Sequence, residues 1–386
     1  MLMLCKARRG LLCKFPDESY AITFFLILLR WKSVVQLVLK EKLLILLVAI
    51  ALISALWSVA PAVTLRRSVA LVMTTLFGVY LATRYSLKQQ LQLLAWTLGV
   101  AMVLSFLFAI ALPAYGVHQE GRHIGAWRGI FVHKNALGRA MGLCVMLFSL
   151  FALYGYRYRW IAWTGLALAI ALTLLSTSAT PLLSSLIVLA LLPLYSLWRW
   201  RNPLFMHFVV MAVTLGSAIV LWLLSQVEAI LAATGRDLTF TGRTELWSVL
   251  LQAIQKYPWL GYGYSAFWLG WQGESGRVWN ALVWEPTYAH NGYLQLGLDL
   301  GLLGIAVFVL GFSIDFGRSL IWARTHQTAA GMFPLAFLTF LLPYNMTDSI
   351  ILQQNNIFWI FYVSTVFSIT IQPQLAKPPA NRQFSA

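Results

Sequence analysis

The chain of 386 residues is 60% hydrophobic and 10% charged, with a mean hydropathy of +0.75. A soluble domain carries about 25% charged residues, so a water-soluble globule is excluded, and disorder is excluded by the same proportions. The formal net charge of +16 sits in short groups between apolar runs, without a basic helix, which argues against nucleic acid and for a lipid bilayer as the partner.

In chain order, the opening MLMLCKARRGLLCKF lacks a signal-peptide core and cleavage site, so the spans themselves are expected to serve as the membrane address. Cys5, Cys13 and Cys144 match no zinc or haem spacing. The stretch 20–38 carries Arg30 and Lys32 at its middle. Both are costly at mid-bilayer, so it reads as one in-plane or partly inserted helix. Ten apolar stretches then follow as candidate spans: 43–60, 68–83, 91–112, 135–154, 160–175, 180–198, 204–226, 291–312, 331–345 and 350–371. There is no β-barrel alternation and no internal repeat. The expected fold is an all-α polytopic membrane protein with ten or eleven transmembrane helices.

Placing 61–67 outside and alternating from there gives every inner loop a basic pair: Lys40/Lys42, Arg84/Lys88, Arg157/Arg159, Arg199/Arg201, Arg318/Arg324 and Lys377/Arg382. Left outside are Arg66, Arg67, Arg122, Arg128, Lys134, Arg139, Arg236, Arg243, Lys256 and Arg277. A translocation rule does not explain so many outward cations, which points to a task on the outer face. Two outer loops are long, 113–134 and 227–290, and the second is expected to be functional. It contains a helical stretch, TELWSVLLQAIQKY, with Glu245 in the first turn and Lys256 in the last. Pro258 stops it, and GYGY follows as a turn.

Four motifs could carry chemistry. GAWRGIFVHKNALGRAMG (125–142) places Arg128, His133, Lys134 and Asn135 where a loop becomes a helix. Asn135 suits an N-cap, and a helix start beside two cations is an anion site. The alternative is interfacial anchoring by Trp127 and the basic residues. In the serine-rich turn LLSTSATPLLSSL (174–186), Ser176, Ser178 and Thr180 read as caps for a helix with Pro181 at its start. In TGRTELW (241–247), Arg243 precedes a helix capped by Thr244 and offers a planar fork to phosphate. Alone, this motif is a weak signal. In EPTYAHNGYLQLGLDLGLLG (285–304), His290 and Asn291 open a span at its outer end. A helix N-terminus favours a neutral, basic imidazole. Gly297, Gly301 and Gly304 share nearly one face and admit another helix. Asp299 lies about 12 Å along the span at 1.5 Å per residue. It is either a relay group or, the reading preferred here, a structural hydrogen bond to a neighbouring helix.

In this order the motifs resemble the O-antigen ligase / polysaccharide polymerase family, with the match falling nearest its exopolysaccharide-polymerase-like branch. The carriers are WRGIFVHKNALG (127–138), the S-x-S-x-T turn (176–180), GRTELW with PWLGYG (242–263), HNGYLQLGLDLGLLG (290–304) and NNIFWIFYV (355–363). Coverage runs from about residue 43 to 371. The resemblance implies a GT-C-like membrane glycosyltransferase of the bacterial inner membrane with its active site facing the periplasm. It would comprise an N-terminal cytoplasmic or interfacial segment (1–42), a transmembrane catalytic domain (43–371) and a cytoplasmic tail (372–386). Its donor would be an oligosaccharide on undecaprenyl pyrophosphate. A flippase and a chain-length regulator of an export system would be its partners, and it would use no cofactor and no metal.

Carried over, Arg243 matches the arginine that holds pyrophosphate, and His290 matches the histidine that activates the acceptor. Many relatives have a basic residue in the serine-rich turn where this chain has Ala179. The resemblance therefore leaves the second phosphate ligand to Arg128 or Lys134, with Asn135, Ser178, Asn291 and Asp299 in support. His133 remains a competitor for the base. His118 and His123 lie in an uncapped loop, His207 at an inner helix end, and His326 on the cytoplasmic side.

The leading expectation is a polymerase joining lipid-linked repeat units by metal-independent inverting transfer. The first alternative is a ligase moving finished glycan to a lipid A core or another acceptor. From a different class come a transporter or flippase, which would place charges near the bilayer midplane, and a scaffold of an export complex.

Overall fold

A computed structural model describes residues 15–120, 123–155, 158–197, 243–282, 284–326 and 328–375. The expected span 204–226, His207, Cys5, Cys13, Arg122, Arg157, Arg199, Arg201, Arg236, Lys377, Arg382 and the start of the second long loop lie outside the described residues. Within them the chain is helical, and the only β contacts are isolated bridges.

The N-terminal stretch is two helices, not the single helix expected: α1 (Phe15–Leu28) and α2 (Trp31–Val38), meeting at 94°. The break falls at the cations that the sequence reading placed at the middle of the stretch, and Arg30, exposed at the bend, donates Nη1 to the Thr83 carbonyl at 3.2 Å. α3 (Lys42–Ile53) runs on into a 3-10 turn, Ser54–Leu56. α4 (Pro61–Arg84) starts on a proline, whose missing N–H costs nothing there. α5 (Leu87–Ala111) starts with a capping box between Ser86 and Gln89. α6 (Lys134–Tyr154), α7 (Arg159–Leu175) and α8 (Ala179–Leu197) follow. After α8 the described chain resumes with α9 (Arg243–Lys256), α10 (Glu274–Ala281), α11 (Gly292–Thr325), α12 (Ala329–Asn345) and α13 (Ile357–Leu375).

Among the described residues four helices, α4, α5, α6 and α11, are long and apolar enough by themselves to cross a membrane, and the bent α1–α2 pair would make a fifth. Shorter apolar helices pack among them. α6 is apolar almost all round and is buried at every position of 141–152, packed by α5, α7, α8 and α12. The connections sort to two ends. At one end Trp57 Nε1 reaches the Leu260 carbonyl (3.1 Å), Trp127 N reaches Leu175 O (2.9 Å) and Arg139 pairs with Asp348 (2.8 Å). At the other, Arg318 pairs with Glu41 (2.8 Å) and Gln90 bonds Ser368 (3.0 Å).

Residues 243–291 form a cap over the first end, with an apolar core of its own. Leu246, Leu250 and Ala253 of α9 and Val278 of α10 pack there with Tyr262, Phe267, Ala289 and Leu298. Lys256 Nζ ties α9 to Glu274 of α10 at 2.7 Å.

The cap is stitched into α11. At Gly301 the helix breaks, with φ +62° and ψ −160°. The segment after Pro258 fills the gap: Tyr262 N bonds Leu298 O (2.8 Å), Gly263 N bonds Asp299 O (3.1 Å), and Leu302 N bonds Pro258 O (2.7 Å). A Cβ on Gly301 would sit 2.5 Å from the Trp259 carbonyl, so glycine is required by both conformation and space. Two expectations change here. The glycine face admits the cap, with Gly297 meeting Ile254 of α9 and Gly301 meeting Trp259 and Leu260, and not another membrane helix. Asp299 belongs to the short segment before the break, so the unbroken helix begins beyond it.

Candidate functional site

His290 stands at the start of that short segment. Asn291 caps α11, its Oδ1 accepting from the N–H of Tyr293 (3.0 Å) and Leu294 (3.1 Å), as an Asn N-cap should. The chain reaches this cap through a left-handed turn at His290, φ +50°. Such a conformation costs a non-glycine residue roughly 1–3 kcal/mol and persists only where its surroundings hold it. Here both flanks hold it. Trp247 Nε1 of α9 donates to the Ala289 carbonyl (3.0 Å), and Ala289 N donates to Gln295 Oε1 (3.1 Å). Gln295 also accepts from Trp268 Nε1 (2.9 Å) and donates to Asp299 Oδ1 (3.0 Å). Asp299 therefore acts one step from the His290 backbone. Its partners are Gln295, one turn back on its own helix, and the Ser265 backbone of the cap, not a neighbouring membrane helix as expected.

The His290 ring packs on Tyr288, with centroids 3.8 Å apart, and against Trp284 at 5.5 Å. Among the described residues neither ring nitrogen has a hydrogen-bond partner. Burial, then the Arg243 guanidinium, lower its pKa from 6.5 to about 4, against a smaller pull upward from Asp348. The imidazole is thus neutral at neutral pH, with its lone pair available.

Arg243 is the first residue of α9. Thr244 lies inside the helix and is not its cap. Arg243 makes no ion pair with Glu245 among the described residues, leaving its charge to act on His290 and Tyr288. Burial pushes the Tyr288 phenol up to about 12, with Asp348 adding and Arg139 and Arg243 opposing. One neighbourhood therefore gathers Arg243 from α9, Tyr288 and His290 from the loop before α11, Arg139 from α6 and Asp348 from the α12–α13 turn.

The remaining expected residues form a second group beside it. The helix at 134–154 is capped by His133, whose Nδ1 accepts from Asn135 N (3.2 Å), so Asn135 is not the cap. His118 Nε2 accepts from Lys134 N (3.2 Å). With two imidazoles committed to its first N–H groups, α6 has no need of an Asn cap. The loop bearing His118 is thereby tied to the helix start. His118, His123 and His133 pack edge to face at 5.3–6.0 Å, yet do not converge as a metal-binding group. Arg128 donates Nε to the Tyr115 carbonyl at 2.7 Å. Burial comes first in lowering His133 to about 4, followed by the other two imidazoles, Lys134 and Arg128.

The serine-rich turn joins the two groups. Lys134 Nζ donates to Thr177 O and Oγ1 (3.1 Å each), Ser178 Oγ donates to Asn135 Oδ1 (3.2 Å), and Thr347 Oγ1 donates to Thr180 Oγ1 (2.7 Å). It packs so tightly on α6 that a Cβ at Gly138 would lie 2.8 Å from Ser178 Cβ. Sequence reasoning passed over Arg139 and Asp348 as site residues. The available signal was Arg139 itself, a cation about 8 Å into an apolar helix at 1.5 Å per residue, which demands a partner.

Residues 164–309 match the family described as O-antigen ligase. That segment is similar to the O-antigen ligase family. The match takes in the serine-rich turn, α9, His290 and the break at Gly301. The exopolysaccharide production protein ExoQ of Rhizobium meliloti (strain 1021) is 26% identical over 271 residues, covering 67% of this chain and 61% of ExoQ. The chain thus spans about three fifths of the length of that relative. Its apolar helices make this a multi-pass membrane protein, similar over part of its length to an O-antigen ligase family and to an exopolysaccharide production protein.

Proposed function

We propose that the chain is a glycosyltransferase that polymerises oligosaccharide repeat units carried on undecaprenyl pyrophosphate, at the periplasmic face of a bacterial inner membrane. The observation that carries this reading is the meeting of His290 and Arg243, from two separate motifs, at the capped end of the bundle. His290 takes the proton of an acceptor hydroxyl as its oxygen forms a bond to the donor's anomeric carbon. The bond from that carbon to the pyrophosphate breaks with inversion, and its electron pair leaves on the phosphate oxygen. Arg243 stabilises that growing negative charge, which fixed cations do best where water is scarce. His133 and His118 are poorer bases because their lone pairs already accept backbone N–H groups.

ExoQ is an exopolysaccharide production protein, which fits a polymer as the product, whereas the O-antigen ligase family fits ligation to a final acceptor. The lipid-linked pool of cells lacking the chain separates the two. A missing polymerase leaves single repeat units on the carrier. A missing ligase leaves full-length polymer there, and that result would replace the present assignment.

The orientation is tested by cysteine labelling, with Cys5 and Cys13 changed to serine and Cys144 buried. Arg277 is 71% exposed in the cap, and Thr325 is exposed at the other end. Arg277→Cys is expected to react with an impermeant thiol reagent in intact spheroplasts and Thr325→Cys is not. The reverse pattern inverts the topology.

A further inference from the structure

A groove of about 670 Å³ lies between α5 and α7. Its floor is Phe148 and Phe151, in the last two turns of α6, and its walls run from Gln92 to Leu104 on α5 and from Tyr158 to Leu168 on α7. α6 starts at the capped end, so the groove occupies the half of the bundle away from His290. From Gln92 to Leu104 the wall is about 18 Å long at 1.5 Å per residue. One leaflet of a bilayer supplies about 15 Å of hydrocarbon, so the groove matches a single leaflet in length.

The groove is also polarised like an amphiphile. Gln92 and Tyr158 lie at its end towards the helix starts, and beyond them the walls are apolar, with Val100, Val103 and Leu104 facing Ile161 and Leu168. The Thr164 hydroxyl is spent on the carbonyls of Trp160 (3.0 Å) and Ile161 (3.2 Å) of its own helix. Gly99 keeps the middle open: a Cβ there would meet only Phe148 Cζ, at 3.9 Å. At the polar end stand two exposed cations. Lys88 lies one turn before Gln92 on the same face of α5. Arg159 follows Tyr158, with Nη2 donating to the Ala152 carbonyl at 3.0 Å. α7 begins there without a side-chain cap, which leaves its first N–H groups for an anion. None of α5, α6 and α7 carries an acidic residue. The ammonium of a zwitterionic phospholipid therefore finds no carboxylate on these helices, whereas a headgroup charged only through its phosphate is complemented.

We propose that this groove binds an anionic phospholipid of the leaflet away from the cap, one acyl chain lying along Gly99 and Phe148 and the phosphate at Lys88 and Arg159. Naming that leaflet cytoplasmic rests on the orientation proposed above, and the site itself does not. Delipidated full-length protein in detergent is titrated with dioleoylphosphatidylglycerol and, separately, with dioleoylphosphatidylcholine, which has the same chains. Bound lipid is counted by native mass spectrometry. The anionic lipid is expected to bind more tightly. Lys88→Gln is expected to weaken it about 5-fold, the worth of one basic residue at an anionic headgroup, and to leave phosphatidylcholine unchanged. Gly99→Leu fills the groove and is expected to weaken both lipids at least roughly 10-fold, the scale of a few buried methylenes. Should that variant fail to accumulate, Val103→Trp, from a half-exposed position on the same wall, fills the groove and decides by the same loss. Equal affinity for the two lipids in the wild type overturns the proposal, as does wild-type binding in the groove-filling variant, the behaviour of an unspecific lipid belt. Undecaprenyl phosphate displacing phosphatidylglycerol at lower concentration would give the groove to the donor's carrier chain and also overturn it. Reversed cysteine labelling would rename the leaflet and leave these affinities as stated.

Discussion

His290→Ala is expected to lower turnover by about 10²–10⁴-fold, the usual worth of a general base, while the protein accumulates normally and still binds donor. The ring lies beside Tyr288 on the rim of the cap, and the helix start is held by Asn291, so removing the imidazole leaves the cap in place. The pH dependence is the sharper part. The imidazole lies at about 4 through burial and the Arg243 charge. Acid protonates the lone pair and removes the base. The rate kcat/KM should therefore be level through neutrality and fall only as the pH drops towards 4. An unperturbed histidine would bend the profile near 6.5. A bend near 6.5, or a profile unaltered in His290→Ala, would remove His290 from the chemistry.

Arg243→Ala is expected to cost about 10²–10³-fold or more in turnover, the scale for one preorganised donor on a developing anion. Arg243→Lys should restore part of it, since lysine keeps the charge and loses the bidentate fork. There is a second signature. Arg243 is the largest charged influence lowering His290, so in Arg243→Ala the acid limb of the residual activity should move upward from about 4. Wild-type turnover in Arg243→Ala ends the phosphate-binding role. A fall in rate with an unmoved acid limb separates Arg243 from the base.

The helices were legible because apolar runs and their caps are local. Ser86 and Gln89 form a capping box within three residues, and the expected stretches 91–112 and 135–154 became helices within a few residues of their bounds, whereas 68–83 is the later part of a helix that already starts at Pro61, in what was expected to be an outer loop. His290 and Asn291 were legible for the same reason: an Asn before Gly-Tyr-Leu offers its oxygen to the first N–H groups of a helix. The errors came where distant segments decide. Asn135 lost the cap to His133, while His118, far back in the loop, took the N–H of Lys134. Residues 20–38 carried the warning in Arg30, but the bend needed the Thr83 carbonyl as a destination. The Arg139–Asp348 pair joins a residue inside the first motif to one outside every motif that drew attention, and no periodicity connects them. Gln295 and Asp299 lie at i, i+4 and could have been paired from helical spacing alone.

The break at Gly301 also decides how this protein can be recombined with its relatives. Main-chain bonds from residues 258–263 enter the ladder on both sides of it, so the outer turns of α11 share their hydrogen bonds with the cap more than with the helix that continues their sequence. A chimera cut at the start of α11, where a hydropathy profile would place the joint, divides one cooperative unit between two parents. The natural crossover lies beyond Leu303, the last residue whose N–H is taken by the cap. An exchange that carries Arg243 through Leu303 as one cassette moves the histidine together with the scaffold that bends its backbone.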